Sequence, residues 1–187
     1  ILIVGGTGSG KTTLANALLA EIAHSGDRVV LLEDTRELQC AAKDVVAMRT
    51  QPGSVSLADL VRSTLRLRPD RIIIGEVRGG EALDMLKAWN TGHPGGIATL
   101  HANSAEAGLS RLEQLIGEVT SNIPFELIAE AVDCVVSIKR DGTSRRVDTV
   151  ARVIVTTTLG YELEPVRPSI RQVVPAPTSQ NEKGKQK

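Results

Sequence analysis

Gly5-Gly6-Thr7-Gly8-Ser9-Gly10-Lys11-Thr12-Thr13 decides the fold of this chain. The string satisfies G-x-x-x-x-G-K-[ST] and stands between the apolar run Ile1-Leu2-Ile3-Val4 and an amphipathic stretch that begins at Lys11. A strand before and a helix after are the context in which this pattern forms a phosphate-binding loop. Glycines let successive backbone N–H groups curl around phosphate oxygens without Cβ clashes, and the helix N-terminus adds partial positive charge. Gly6, Thr7, Gly8, Ser9 and Gly10 are therefore expected to cradle phosphates, with Lys11 reaching the β- and γ-phosphates of ATP. The Thr12 hydroxyl is expected to ligate Mg²⁺, leaving Thr13 to support the loop or the α-phosphate.

Outward from this loop, short β-branched runs alternate with longer helical patterns, the signature of βαβ units in a parallel sheet covered on both faces. Strands are predicted at 1–4, 28–32, 45–49, 71–74 and 97–100, followed by 134–139 and 147–155. The last pair, separated by Asp141-Gly142, reads as an antiparallel hairpin at the sheet edge. Helices are predicted at 11–24, 57–67, 81–91, 104–118 and 124–132. Ser56 with Asp59, and Asn103 with Glu106, have the spacing of helix N-terminal caps. The predicted fold is an α/β P-loop NTPase domain over residues 1–164. Residues 165–187 are rich in proline, serine, glutamine and lysine, cannot bury enough apolar surface to offset ordering, and are expected to be a disordered tail.

In such a sheet, ligands bind outside the carboxyl ends of the strands, so polar residues immediately after each strand are expected to converge. Three groups stand there: Glu33-Asp34-Thr35-Arg36-Glu37, Gly75-Glu76-Val77-Arg78, and His101. Glu33 and Asp34 either take a catalytic or metal-shell role or cap a following turn. Glu76 stands where a Walker B carboxylate belongs, with Gly75 in place of the usual aspartate, so it is expected to contact the metal through water. His101 is either a phosphate sensor or a structural histidine. Arg78 either pairs with the acidic group after the second strand or is a solvated surface charge. His93, in Thr91-Gly92-His93-Pro94-Gly95-Gly96, lies in a turn near the site or away from it, and His24 is expected to complement a helix dipole. Arg62, Arg66, Arg68 and Arg71 either reach a neighbouring subunit's nucleotide or are ordinary surface charges. Met85 and Trp89, four apart, are expected to pack in the core or an interface.

Composition narrows the classes further. Acidic and basic residues balance at 22 each, so no net field gathers nucleic acid, and sequence-specific nucleic-acid recognition is not expected. Two cysteines, Cys40 and Cys134, are too few for a zinc cluster or a disulfide framework, which fits a reducing cytoplasm. No apolar run approaches the roughly 20 residues that span a bilayer. The opening at Ile1 without a methionine reads as a fragment whose N-terminal domain is missing. No N-K-x-D string reads guanine, and the loop does not spell the G-x-G-x-x-G of a dinucleotide fold.

Taken together, Gly5 to Thr13, Glu33 to Leu38, Ile73 to Arg78 and Gly92 to Ser104 resemble the Walker A, Asp box, atypical Walker B and His box of the secretion ATPase superfamily, in that order. The stretches 33–38 and 90–104 are most similar to the TrbB-type conjugal transfer ATPases. The resemblance implies a RecA-like domain in a hexameric ring, peripheral at the cytoplasmic face of the bacterial inner membrane. It implies ATP hydrolysis that drives a conjugation or type IV secretion channel, with inner-membrane channel components as partners. It also implies Glu33 as the water-activating acid, Glu76 as the Walker B acid, His101 as the γ-phosphate sensor, and arginines from an N-terminal domain that complete the site. The competing readings are a regulatory or structural nucleotide-binding assembly module and a DNA-translocating motor.

Overall fold

The computed structural model describes residues 1–156 and 160–166. Its sheet is built on strict alternation within apolar runs. In β1 (Leu2–Gly5), Leu2 and Val4 face one core and Ile3 the other. The same division separates Val30 and Leu32 from Val29 and Leu31 in β2 (Arg28–Glu33). Beyond β3 (Asp44–Arg49), it separates Ile72 and Ile74 from Ile73 in β4 (Arg71–Val77). Strands buried on both faces need no polar side, which is why these segments read as continuous β-branched runs.

With β5 (Ile97–His101), β6 (Cys134–Asp141), β7 (Ser144–Thr156) and β8 (Gly160–Pro165), the described strands form one sheet in the order β3-β2-β4-β5-β1-β6-β7-β8. All pairs from β3 to β6 are parallel, and β6–β7 and β7–β8 are antiparallel. Helix α1 (Lys11–Ile22) covers one face through Ala15 and Leu19. The other face carries α2 (Leu57–Thr64), α3 (Glu81–Asn90), α4 (Ala105–Gly117) and α5 (Phe125–Ala131). Helices therefore lie on both faces, as expected, but very unequally. Met85 and Trp89 are core residues, and the Trp89 indole N–H donates to the Ile72 carbonyl at 3.2 Å.

Several expectations change. The β6–β7 hairpin is not the sheet edge, because β8 pairs outside it; Tyr161 and Leu163 of β8 pack on the larger core while Glu162 and Glu164 are exposed. The predicted tail begins inside this strand at Pro165, a residue an edge strand tolerates because no ladder donor is needed there. The remainder of that tail, 167–187, lies outside the described residues. Helix α1 stops at Ile22, so His24 sits in the following turn. The Ser56–Asp59 capping box is present, but α4 is capped one residue later than expected: Ser104 Oγ, not Asn103, accepts from the Ala107 N–H. The Arg62 guanidinium binds Asp84 at 2.9 Å and Arg71 binds Asp27 at 2.5 Å, so these two members of the basic stretch tie the chain to itself.

Candidate functional site

Parallel strands deliver their carboxyl ends to one rim, and there a cavity of about 520 Å³ opens, large enough for a small-molecule ligand. Its wall joins Thr7, Gly8, Lys11 and Thr12 of the loop to Glu33 and Asp34 after β2, Glu76 and Arg78 at β4, and His101 at the end of β5. The sequence separates these residues by as many as 94 positions, from Thr7 to His101. The loop turns at Gly8 (φ 69°) and Gly10 (φ 102°), both in the left-handed region where a side chain would be strained. Gly10 caps α1 without a side-chain acceptor, which leaves the first-turn N–H groups available to an anion.

Several of the polar side chains have defined partners. Lys11 Nζ donates to the carbonyls of Gly5 (3.0 Å) and Gly6 (3.4 Å) and lies 3.9 Å from Glu76 Oε1. Thr12 Oγ1 donates to Glu37 Oε2 at 2.9 Å, which leaves its lone pairs free for a cation. Glu33 is 3% exposed, and its Oε1 accepts the N–H groups of Glu37 (2.8 Å) and Leu38 (2.6 Å). It therefore holds the following turn and also lines the cavity. Arg78 pairs with Glu76 at 2.5 Å and with Asp34 at 3.3 Å, and Glu76 above all pushes its pKa up, fixing it as a cation. Among the described residues no three acidic, histidine or cysteine side chains are grouped to hold a metal ion by themselves, so a cation here would rest on few protein oxygens, such as those of Thr12 and Glu76, as Mg²⁺ beside phosphates does.

Not all expected residues meet here. Ser9, Gly10 and Thr13 line a separate recess on the far side of the loop, and Ser9 is buried with a hydroxyl that has no hydrogen-bond partner among the described residues. His93 is at the opposite, amino end of the strands, its Nδ1 2.8 Å from the Pro69 carbonyl. Two arginines were not anticipated. Arg111 of α4 lines the cavity and forms no ion pair among the described residues, its Nη1 donating to Gln114 at 3.2 Å. Arg145 of β7 donates from Nε to the Gly8 carbonyl at 3.1 Å. Neither is legible without knowing the direction of α4 or the parallel pairing of β1 with β6, which sets Gly5 against Ile138 and so carries the hairpin over the loop.

Comparison with known proteins agrees with this geometry. Residues 1–154 match the family described as "Type II/IV secretion system protein". The chain is 58% identical over 155 residues to "Conjugal transfer protein TrbB" of Rhizobium radiobacter, covering 82% of this chain and 48% of that protein. It is 54% identical over 166 residues to "Probable conjugal transfer protein TrbB" of Sinorhizobium fredii, covering 88% and 51%. Among solved structures, the VirB11 ATPase from the Brucella suis type IV secretion system, in complex with sulphate, superposes with a TM-score of 0.74 at 35% identity, covering 81% of this chain and 47% of that one. The chain spans about half the length of the curated relatives it matches. No helix among the described residues is long and apolar enough to cross a membrane. The rim residues, the RecA-like sheet and these matches lead to one assignment: the chain belongs to the type II/IV secretion system protein family, the secretion ATPase superfamily, and is related within it to the TrbB-type conjugal transfer proteins.

Proposed function

We propose that this domain binds Mg·ATP at the rim and hydrolyses it as the motor of a conjugative or type IV secretion machine. The observation that carries the reading is the convergence of Lys11, Thr12, Glu33, Glu76 and His101 on one cavity beside an uncapped helix N-terminus. The loop N–H groups and Lys11 take the phosphates, and Lys11 exchanges its carbonyl partners for phosphate oxygens. Thr12 would hold Mg²⁺ directly and Glu76 through water, and the chemistry the cation would supply is neutralisation of phosphate charge. The Oε1 of Glu33 is occupied by two backbone donors, so the carboxylate is fixed in orientation, and its Oε2 is the atom that takes a proton from the attacking water. His101, exposed at the strand end, faces the γ-phosphate, and Arg78 and Arg111 bring positive charge to the same wall.

The relatives' names, a conjugal transfer protein and the ATPase of a type IV secretion system, support work in such a machine; in this reading the domain acts as one subunit of a hexameric ring, peripheral at the inner face of the inner membrane, with membrane channel components as partners. Calorimetric titration of Lys11→Ala with Mg·ATP tests the nucleotide site. A charge-assisted hydrogen bond contributes about 1.5–3 kcal/mol, so affinity falls by about 10- to 150-fold while the far-ultraviolet spectrum is unchanged. Unchanged affinity together with unchanged turnover sinks the assignment.

A further inference from the structure

Thr12 and Asn16 stand one turn apart on α1, and both reach the segment that follows β2. Residues four apart share a helix face. Thr12 Oγ1 bonds to the Glu37 carboxylate, whereas Asn16 holds main chain: its Nδ2 donates to the Glu37 carbonyl at 3.1 Å, and its Oδ1 accepts the Gln39 N–H at 2.9 Å. That pair demands a donor and an acceptor on one side chain, which an amide supplies and a carboxylate or an alkyl group does not. Glu37 is thereby held by its N–H on Glu33 Oε1, by its carbonyl on Asn16 and by its side chain on Thr12. Next to it, Leu38 is buried in the smaller core with Ala15 and Leu19 of α1.

Stability alone is a weak reason for this amide. Both Asn16 bonds lie at the exposed surface, where water would serve the same main-chain groups, and asparagine is a poor helix former inside a helix. What the amide adds is position. Residues 34–39 form neither strand nor helix, so the path of this segment over α1 is set by its contacts, and the Glu37 carboxylate meets Thr12 only while its main chain stays in place. Asn16 is not part of the cavity wall. We propose that Asn16 is a positioning residue of the nucleotide site. It fixes the main chain of Glu37, which keeps the Glu37 carboxylate on the Thr12 hydroxyl and that hydroxyl's lone pairs turned to Mg²⁺, without itself touching nucleotide or metal. The same hold steadies the N–H that orients Glu33, so one surface amide serves both the metal side and the water side of the cavity. The inference rests on the Mg·ATP reading above.

Calorimetric titration of the chain with ATP, at graded Mg²⁺ and without metal, tests it. Asn16→Leu keeps the shape of the side chain, removes both bonds and favours the helix, so α1 stays folded. Asn16→Asp keeps the acceptor for Gln39 and loses the donor to Glu37. In both variants the Mg²⁺ concentration for half-maximal ATP binding rises by about 3-fold or more, up to the roughly 10- to 100-fold that follows loss of a group orienting a metal ligand. Metal-free ATP affinity is unchanged. In a Glu37→Ala background, Asn16→Leu adds no further rise, because Asn16 acts through Glu37. A Mg²⁺ dependence equal to the parent's, or the same rise with and without Glu37, overturns the proposal and leaves Asn16 a surface tie. A loss of metal-free ATP affinity as large as the loss with Mg²⁺ would make Asn16 a prop of the phosphate loop and overturn it too. If the parent binds ATP with no Mg²⁺ dependence at all, the Mg·ATP reading fails, and this inference with it.

Discussion

A Cβ on Gly75 would come within 3.3 Å of Glu33 Cγ, so the buried stem of Glu33 occupies the space that a side chain at 75 would take. The two lie on adjacent parallel strands, where Leu32 pairs with Ile74. A carboxylate from β2 thus stands beside the position at which a Walker B aspartate is usual, and a glycine there is what makes room for it.

Gly75→Asp forces two carboxylates together at a buried strand end. Overpacking alone costs about 1–3 kcal/mol, and like charge adds to it. Glu33→Gln keeps an Oε1 that accepts from Glu37 and Leu38, so by itself it leaves stability nearly unchanged while turnover is lost. In the double variant part of the Gly75→Asp loss is recovered, with a coupling of at least about 0.5 kcal/mol in urea unfolding. Strict additivity would show that the two carboxylates do not repel each other, and parental turnover in Glu33→Gln would leave Glu33 as a turn cap only.

Glu37 accepts the Thr12 hydroxyl proton and thereby aims the oxygen lone pairs. Groups that orient a metal ligand in this way typically change metal affinity by about 10- to 100-fold when removed. Glu37→Ala should therefore raise the Mg²⁺ concentration needed for half-maximal ATP binding by about that factor, with metal-free ATP affinity little altered. A Mg²⁺ dependence equal to that of the parent refutes the role.

His101 lies at the end of β5 on the cavity wall. A contact to the γ-phosphate exists only in the triphosphate state, so it biases the domain between nucleotide states. His101→Ala should bring ATP and ADP affinities close to each other, whereas the parent prefers ATP. Competition binding measures both, and a preference that survives the substitution makes His101 structural.

Tyr161 of β8 contacts Glu113 of α4, and burial, reinforced by that acid, raises its pKa above the usual tyrosine value. An acid with a raised folded pKa contributes stability that is complete below its unfolded value of about 10 and is lost as pH rises through the folded one. Thermal stability should therefore decline more steeply above pH of about 10 in the parent than in Tyr161→Phe. The chain contains one tyrosine, so phenolate absorbance follows the same ionisation directly. Parallel slopes for parent and variant would remove Tyr161 from the linkage.

The phosphate loop, the first five parallel strands and the capping box at Ser56 were legible because their determinants are local: alternation, β-branching, glycine spacing and cap chemistry act within a few residues. The rim assignment of Glu33, Glu76 and His101 was legible too, since parallel strands must all end on the same side. Strand β8 carried a readable alternation, Tyr161 and Leu163 against Glu162 and Glu164, but its place next to β7 depends on the core it packs against.

What the sequence determined alone is therefore the fold class, the order of its motifs and the end of the sheet where chemistry gathers. Tertiary structure decided which side chains share that space. It turned Ser9 and Thr13 away from the acidic cavity, sent His93 to the far end of the strands, held Thr12 on Glu37 and brought Arg111 and Arg145 beside the loop. These outcomes depend on contacts between residues from 24 to 137 positions apart, such as His93 with Pro69, Thr12 with Glu37 and Gly8 with Arg145. Their geometry is fixed by strand register and helix packing over the whole domain, and no local periodicity encodes it.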